Sequence, residues 1–357
     1  MSYLPFAATR TSIRYGFAVG RVRVLETKVF GKATYERLLD ARTYSEQRRI
    51  LSDTVYGRYL EGAETPAAVE EALWRALGDF YGFLDEAQLP PSVVRYFRVR
   101  YDFANLKGAL KARALGITPA GLFVDLGTIP LEQLSEPLDR LPEPFGSLAA
   151  RLEAGKPEES SARGPSVFPD LSGDAPEGVG ATPDAELARI DFEVDKAMFS
   201  ELAAAAAKSK SRFLKELAAL EVDIANVKVL VRSRLGGATA GASTQPLFDG
   251  GAIGRERLEE FAALPPIEAA VSLARVAPFS GLSMSDLADP SRLDVVADNV
   301  IARFLRQGRT VPVGVEPVIS YVLSRAAEVT ILRVLLLGRL NGLDTELLRG
   351  RLRDVYV

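Results

Sequence analysis

The sequence predicts an all-α protein of three similar helical domains, and two recurrences and one absence carry that expectation. A long amphipathic helix appears as YDFANLKGALKARALG (Tyr101–Gly116), VDIANVKVLVRSRLGG (Val222–Gly237) and AEVTILRVLLLGRLNG (Ala327–Gly342). A shorter signature, G-x-[AI]-x4-L, begins at Gly31, Gly127 and Gly251. No stretch sustains the period-2 alternation of β-branched residues that a half-buried strand requires.

The long helix is justified by its register. Asp102, Asn105, Lys107, Lys111, Arg113 and Gly116 answer to Asp223, Asn226, Lys228, Arg232, Arg234 and Gly237. The third copy keeps Glu328, Arg333, Arg339 and Gly342 but has Ile331 at the Asn position and Leu337 at the second basic one. Apolar residues at i, i+3, i+7 and i+11 line one face of each copy: Phe103, Leu106, Leu110 and Ala114, then Ile224, Val227, Val231 and Leu235, then Val329, Leu332, Leu336 and Leu340. Pro91 and Pro317 stand where a first-turn proline is tolerated, because its missing N–H would have no helical partner. Ser211 offers a cap for the middle copy, and Gly116, Gly237 and Gly342 supply left-handed stops. Each helix then runs roughly 26 residues, or about 39 Å.

In chain order, Tyr15–Lys28 reads as a leading amphipathic helix, with Phe17, Val22, Val24 and Leu25 set among Arg21, Arg23 and Glu26. Each signature follows: Glu36-Arg37, Glu132-Gln133 and Glu256-Arg257 precede its leucine, so a loop glycine should start a short polar-faced helix three times. The domains expected are 1–118, 119–240 and 241–357. The middle one is about twenty residues longer than the others require, and Gly155–Asp184, dense in Pro, Gly, Ser and Glu without helical period, accounts for the excess. A solvated, mobile loop is expected there, with a docking peptide around Val167-Phe168 as the alternative.

Composition narrows the function. The chain has 357 residues, 47% hydrophobic and 25% charged, with a net charge of −3, which argues against a basic footprint for nucleic acid or anionic lipid. It contains neither Cys nor His, so thiol nucleophiles, His-based triads and the commonest metal ligands are unavailable. No phosphate-binding loop or dinucleotide fingerprint is present. Charges interrupt every apolar stretch before it reaches about 18 residues, and no secretory leader is apparent, so a cytosolic protein that does not span the membrane is expected.

The repeated acids Asp102, Asp223 and Glu328 suggest an internal hydrogen-bond network or a pore-facing row rather than catalysis, since a catalytic site needs one asymmetric constellation. Asn105, Lys107, Asn226, Lys228 and Arg333 belong to that row and are the candidate partner-binding residues. Trp74 reads as core. Arg303, Arg306 and Arg309 read as a solvated or partner-facing surface, because only Phe304 lies among them. Neither a carboxylate-based enzyme nor a generic helical scaffold finds positive support in the sequence.

The paired helices, the PFSGL stretch at Pro278–Leu282 and the ending VGVEPVISYVLSRAAEVTILRVLLLGRLNG resemble the C-type subunit of the bacterial and archaeal V/A-type ATPase, whose eukaryotic relative is the d-type subunit. The resemblance runs from about Tyr15 to the C-terminus. It implies three similar domains around a pseudo-threefold axis, forming a funnel. It further implies a non-catalytic, cofactor-free central-stalk rotor subunit on the cytoplasmic face of the membrane. The partners implied are the central shaft subunits of D and F type, whose tip it would accept, and the proteolipid subunits of the membrane rotor ring, so that torque passes through it.

Overall fold

The computed structural model describes residues 15–119, 121, 123–154, 183–235, 247–276, 279–280, 283, 285–286 and 289–356. All regular structure among them is helical, in agreement with the all-α expectation. None of the described helices is long and apolar enough to cross a membrane. The chain divides into two compact units, Met1–Tyr96 with Phe199–Val357, and Phe97–Met198.

The first unit opens with α1 (Gly16–Glu26), α2 (Lys32–Asp40), α3 (Tyr44–Leu51), α4 (Gly57–Leu60) and α5 (Pro66–Glu86). Its later part holds α9 (Arg212–Leu235), α10 (Arg255–Ala263), α11 (Pro266–Ala274), α12 (Pro290–Arg309), α13 (Glu316–Leu340) and α14 (Thr345–Arg349). The second unit carries α7 (Phe145–Ala154), and the division falls inside α6 (Pro91–Leu115) and α8 (Pro183–Ser209).

The three long helices α6, α9 and α13 match the sequence reading closely, and their ends show why. Ser211 accepts the Leu214 N–H at 3.2 Å and so caps α9. Gly116 and Gly342 take φ of +65° and +72°. In both cases the next residue closes a six-to-one bond, Ile117 N–H to Ala112 O and Leu343 N–H to Gly338 O, each at 2.9 Å. That is the bond a left-handed residue makes possible, and a β-carbon there would oppose it. Gly237 lies outside the described residues.

α13 is the axis of the first unit and packs against α1, α3, α5, α9 and α12. Leu332, Leu335 and Leu336 are fully buried along it, and each such leucine contributes roughly 1.5–3 kcal/mol of burial free energy. Around α9, Val227, Val231, Leu258, Phe261, Leu293 and Val300 form a second cluster. In the second unit Phe103, Leu106 and Leu110 of α6 are buried, with the Phe103 ring 4.7 Å from that of Phe145. Ala114 and Leu340, at the last positions of their stripes, are only half-buried.

Two expectations need adjustment, and two more fall largely outside the described residues. The signature helix is α-helical at α2 and α10, but at the middle signature it is a 3-10 turn, Leu131–Ser135. Pro130 precedes it and Pro137 follows closely, and a proline both lacks an N–H and disfavours α geometry in the residue before it. Trp74 is half-buried rather than core, with the Arg333 guanidinium 5.7 Å from its ring centroid. The Gly155–Asp184 stretch lies outside the described residues except for its last two, which begin α8. Of the PFSGL stretch, Phe279 is described and buried.

Candidate functional site

The repeated acid and amide of the long helix form a two-point lock on a connector loop. Asp102 Oδ1 accepts the N–H groups of Thr128 at 2.6 Å and Ile129 at 2.9 Å, while its Oδ2 accepts the Thr128 hydroxyl at 2.7 Å. One turn further on, Asn105 donates to Val124 O at 2.8 Å and accepts the Val124 N–H at 2.9 Å. Residues i and i+3 share a helix face, so the two side chains grip the loop before and after its glycine. α9 repeats the arrangement. Asp223 accepts the N–H groups of Ala252 at 3.1 Å and Ile253 at 3.0 Å, and Asn226 exchanges two bonds with Phe248 at 2.8 and 2.9 Å.

The lock explains the signature glycine. A β-carbon on Gly127 would sit 2.0 Å from Asp102 Oδ1, and one on Gly251 would sit 2.2 Å from Asp223 Oδ1. No substituent fits there without breaking the lock. The locks also join each long helix to the signature that follows it in sequence, across the positions 118 and 240 at which the repeats were divided.

The third helix closes the series by gripping the first signature. Glu328 Oε2 accepts the Phe30 N–H at 2.6 Å and its Oε1 accepts the Tyr56 hydroxyl at 2.6 Å. Ile331 has no amide to offer, and Arg325, one turn before Glu328, takes over. Its guanidinium donates to Lys28 O at 3.3 Å and to Glu328 at 2.5 Å. Lys28 stands three residues before Gly31, as Val124 and Phe248 stand before Gly127 and Gly251, so the same loop carbonyl is held by a different residue. Arg325 lies 3.9 Å from the Phe80 ring centroid and 5.4 Å from that of Tyr56, and both members of the ion pair are 1% exposed.

Burial governs the electrostatics. It raises the Glu328 carboxyl above its ordinary pKa, against the opposing pull of Arg325, the Phe30 amide and the Tyr56 hydroxyl. Burial likewise raises Asp223, opposed by its two backbone donors. Tyr35 and Tyr56 are pushed well up by burial and then by the nearby Glu328 charge. Each carboxylate is committed to donors of the loop it holds, and that role is structural.

The sequence-predicted residues divide between this lock and the surface. Asn105 and Asn226 are buried on loop backbone. Lys107 pairs with Asp195 at 2.5 Å and Asp191 at 3.6 Å on α8, and Lys228 with Asp294 on α12 at 2.7 Å. Arg333 reaches Glu70 on α5 at 3.5 Å. Each cation thus fastens a neighbouring helix, with side-chain exposures of 24%, 25% and 41%. Sequence reasoning missed Arg325, Tyr56 and the Phe30 amide. A signal for Arg325 was present, since the matching positions of the other copies hold the buried Val99 and Leu220.

Comparison with known proteins assigns the chain to a family. The family described as ATP synthase (C/AC39) subunit matches residues 18–351. The C subunit of the A-type ATP synthase of Methanosarcina mazei is 25% identical, over 96% of this chain and 93% of its own length. The C subunit of the V-type ATP synthase of Thermus thermophilus is 27% identical over 90% and 93%, and that of the V-type sodium ATPase of Enterococcus hirae 22% over 94% and 97%. This chain belongs to the ATP synthase (C/AC39) subunit family, the non-catalytic C subunits of A- and V-type ATPases.

Proposed function

We propose that the protein is the central-stalk rotor subunit of a V/A-type ATPase or ATP synthase: a socket that receives the D- and F-type shaft subunits of the soluble head and seats them on the proteolipid ring. The match along residues 18–351 carries this reading. Relatives named for ATP synthesis and for a sodium ATPase both span nearly the whole chain, so the role assigned is the one common to either direction. The protein would sit peripherally on the cytoplasmic face, held through protein contacts.

Mechanical reasoning supports the same assignment. A torque-bearing adaptor needs stiffness and close surface complementarity rather than chemistry. Buried bonds from each long helix to the next signature give that stiffness, and the last helix returning to the first signature leaves no repeat unfastened. Three similar domains about a pseudo-threefold axis, opening as a funnel, would give the shaft its seat. In that arrangement Lys107, Lys228 and Arg333 are the members of the repeated row with surface left to offer an acidic shaft tip.

Deletion of the protein from its complex tests the proposal. ATP hydrolysis by the detached head should persist while ATP-driven ion transport in membrane vesicles is abolished, and adding the purified protein back should restore coupling. Transport that survives the deletion, or failure of the protein to co-purify with an ATPase from solubilised membranes, refutes it.

A further inference from the structure

The locks leave unexplained a cleft in the first compact unit, where the N-terminal turn of α2 faces the segment that follows α14. Its volume is about 390 Å³, within the range of small-molecule sites. Four cationic side chains line it, Lys32, Arg306, Arg349 and Arg353, against two carboxylates, Glu36 and Asp354. Leu352 and Val355 supply an apolar wall, and the buried Tyr35 lies at its inner side.

The charges are unequally committed. Arg353, 15% exposed, is held by Asp298 at 2.7 Å and is a fixed part of the wall. Arg349 shares Glu36 at 3.0 Å with weaker contacts to Asp40 and Glu346, and Arg306 meets Asp354 at 3.2 Å. These two pairs are substantially exposed, and exposed pairs exchange partners at little cost. Lys32 is exposed and has no ion-pair partner among the described residues. Two exchangeable guanidiniums and a free ammonium around a concave space suit an anion with several oxygens, because a guanidinium fork matches phosphate geometry in a way that a single bound carboxylate does not exhaust.

We propose that this cleft binds a small phosphate-bearing anion, Lys32 and Arg306 supplying exchangeable contacts and Arg353 the fixed charge behind them. The site is independent of the stalk role, and its failure would leave that role untouched. The phosphate can come free in solution or as the headgroup of an acidic lipid.

Calorimetric titration of the full-length protein with inorganic pyrophosphate, at low and high chloride, is the direct test. Saturable binding that weakens as chloride rises is expected, with Lys32→Ala weakening it about fivefold and Lys32→Ala/Arg306→Ala more than tenfold, at unchanged melting temperature. If Arg306→Ala impairs folding, the charge reversal Lys32→Glu at the exposed, unpaired position replaces it. Co-sedimentation with phosphatidic acid vesicles, but not phosphatidylcholine vesicles, and lost in Lys32→Glu, would identify a lipid source; binding of pyrophosphate alone would identify a free one. Absence of both interactions, or affinities unaltered by the Lys32 variants, overturns the proposal.

Discussion

Two ways of fastening a loop to a long helix stand side by side in this chain. At α6 and α9 an aspartate reaches the two amides after the loop glycine, and an asparagine one turn later holds the carbonyl three residues before it. At α13 a glutamate, longer by one methylene, takes the amide just before the glycine, and an arginine one turn earlier holds the equivalent carbonyl. The first solution is compact and makes glycine obligatory. The second leaves open space at Gly31, whose β-carbon would meet nothing within 4 Å, but buries an ion pair. Repetition therefore preserves the loop and the carbonyl that are held, while the amide taken and the holding chemistry differ.

The largest expected effect separates the two. Arg325→Met leaves Glu328 buried without its counter-charge, which should cost about 3–5 kcal/mol, whereas the pair replacement Arg325→Met/Glu328→Gln should recover much of that loss. Denaturant unfolding of the three proteins measures it. A double variant no better than the single one would mean that the Arg325 contacts to Lys28 O and Phe80 matter more than the charge balance.

Next come the glycines. Gly127→Ala and Gly251→Ala drive a methyl into a carboxylate oxygen and should each destabilise by roughly 2–4 kcal/mol, while Gly31→Ala, on extended backbone with φ −89° and ψ 172°, should cost under about 1 kcal/mol. Comparable losses at all three sites in thermal melts would show that the glycines serve the loop backbone alone. Asn105→Ala and Asn226→Ala should follow at about 1–3 kcal/mol each, since each strands a buried carbonyl and amide. A loss near zero would mean that water enters and repairs the bonds.

How much of this was legible follows from what each feature depends on. Helix ends were legible because Ser211, Gly116 and Gly342 act on their immediate neighbours. The apolar stripes were legible because period 3.6 is a local property. That Glu328 reaches Phe30 was not, because similar repeats give no indication of which copy a given helix grips. The acids opposite Lys107, Lys228 and Arg333 were hidden for a related reason: Asp195, Asp294 and Glu70 lie on helices far from those cations in sequence, outside the two recurrences that were read. Arg325 was the readable exception, a charge at a position otherwise held by Val99 and Leu220.

The smallest effect expected concerns pH, and it compares Glu328 and Asp223 directly. Burial raises both carboxyls above their ordinary values of 4.5 and 3.8, so each folded site keeps its proton at a pH where the unfolded chain has released it. The folded state then binds more protons than the unfolded one between the ordinary and the raised value, and stability must fall as pH rises through that window. The contribution is whole below the ordinary value and lost above the raised one. Glu328→Gln and Asp223→Asn remove the titration but keep a polar group of similar size. The stability of the native protein relative to either variant should therefore decline with rising pH across the window and then level off, other carboxylates cancelling in the difference. Among the described residues Asp223 has only backbone donors, whereas Glu328 has a guanidinium to stabilise its charge. A relative stability that instead grows with pH at Glu328, while falling at Asp223, would mean that Arg325 outweighs burial and that the closing lock is built for the ionised carboxylate.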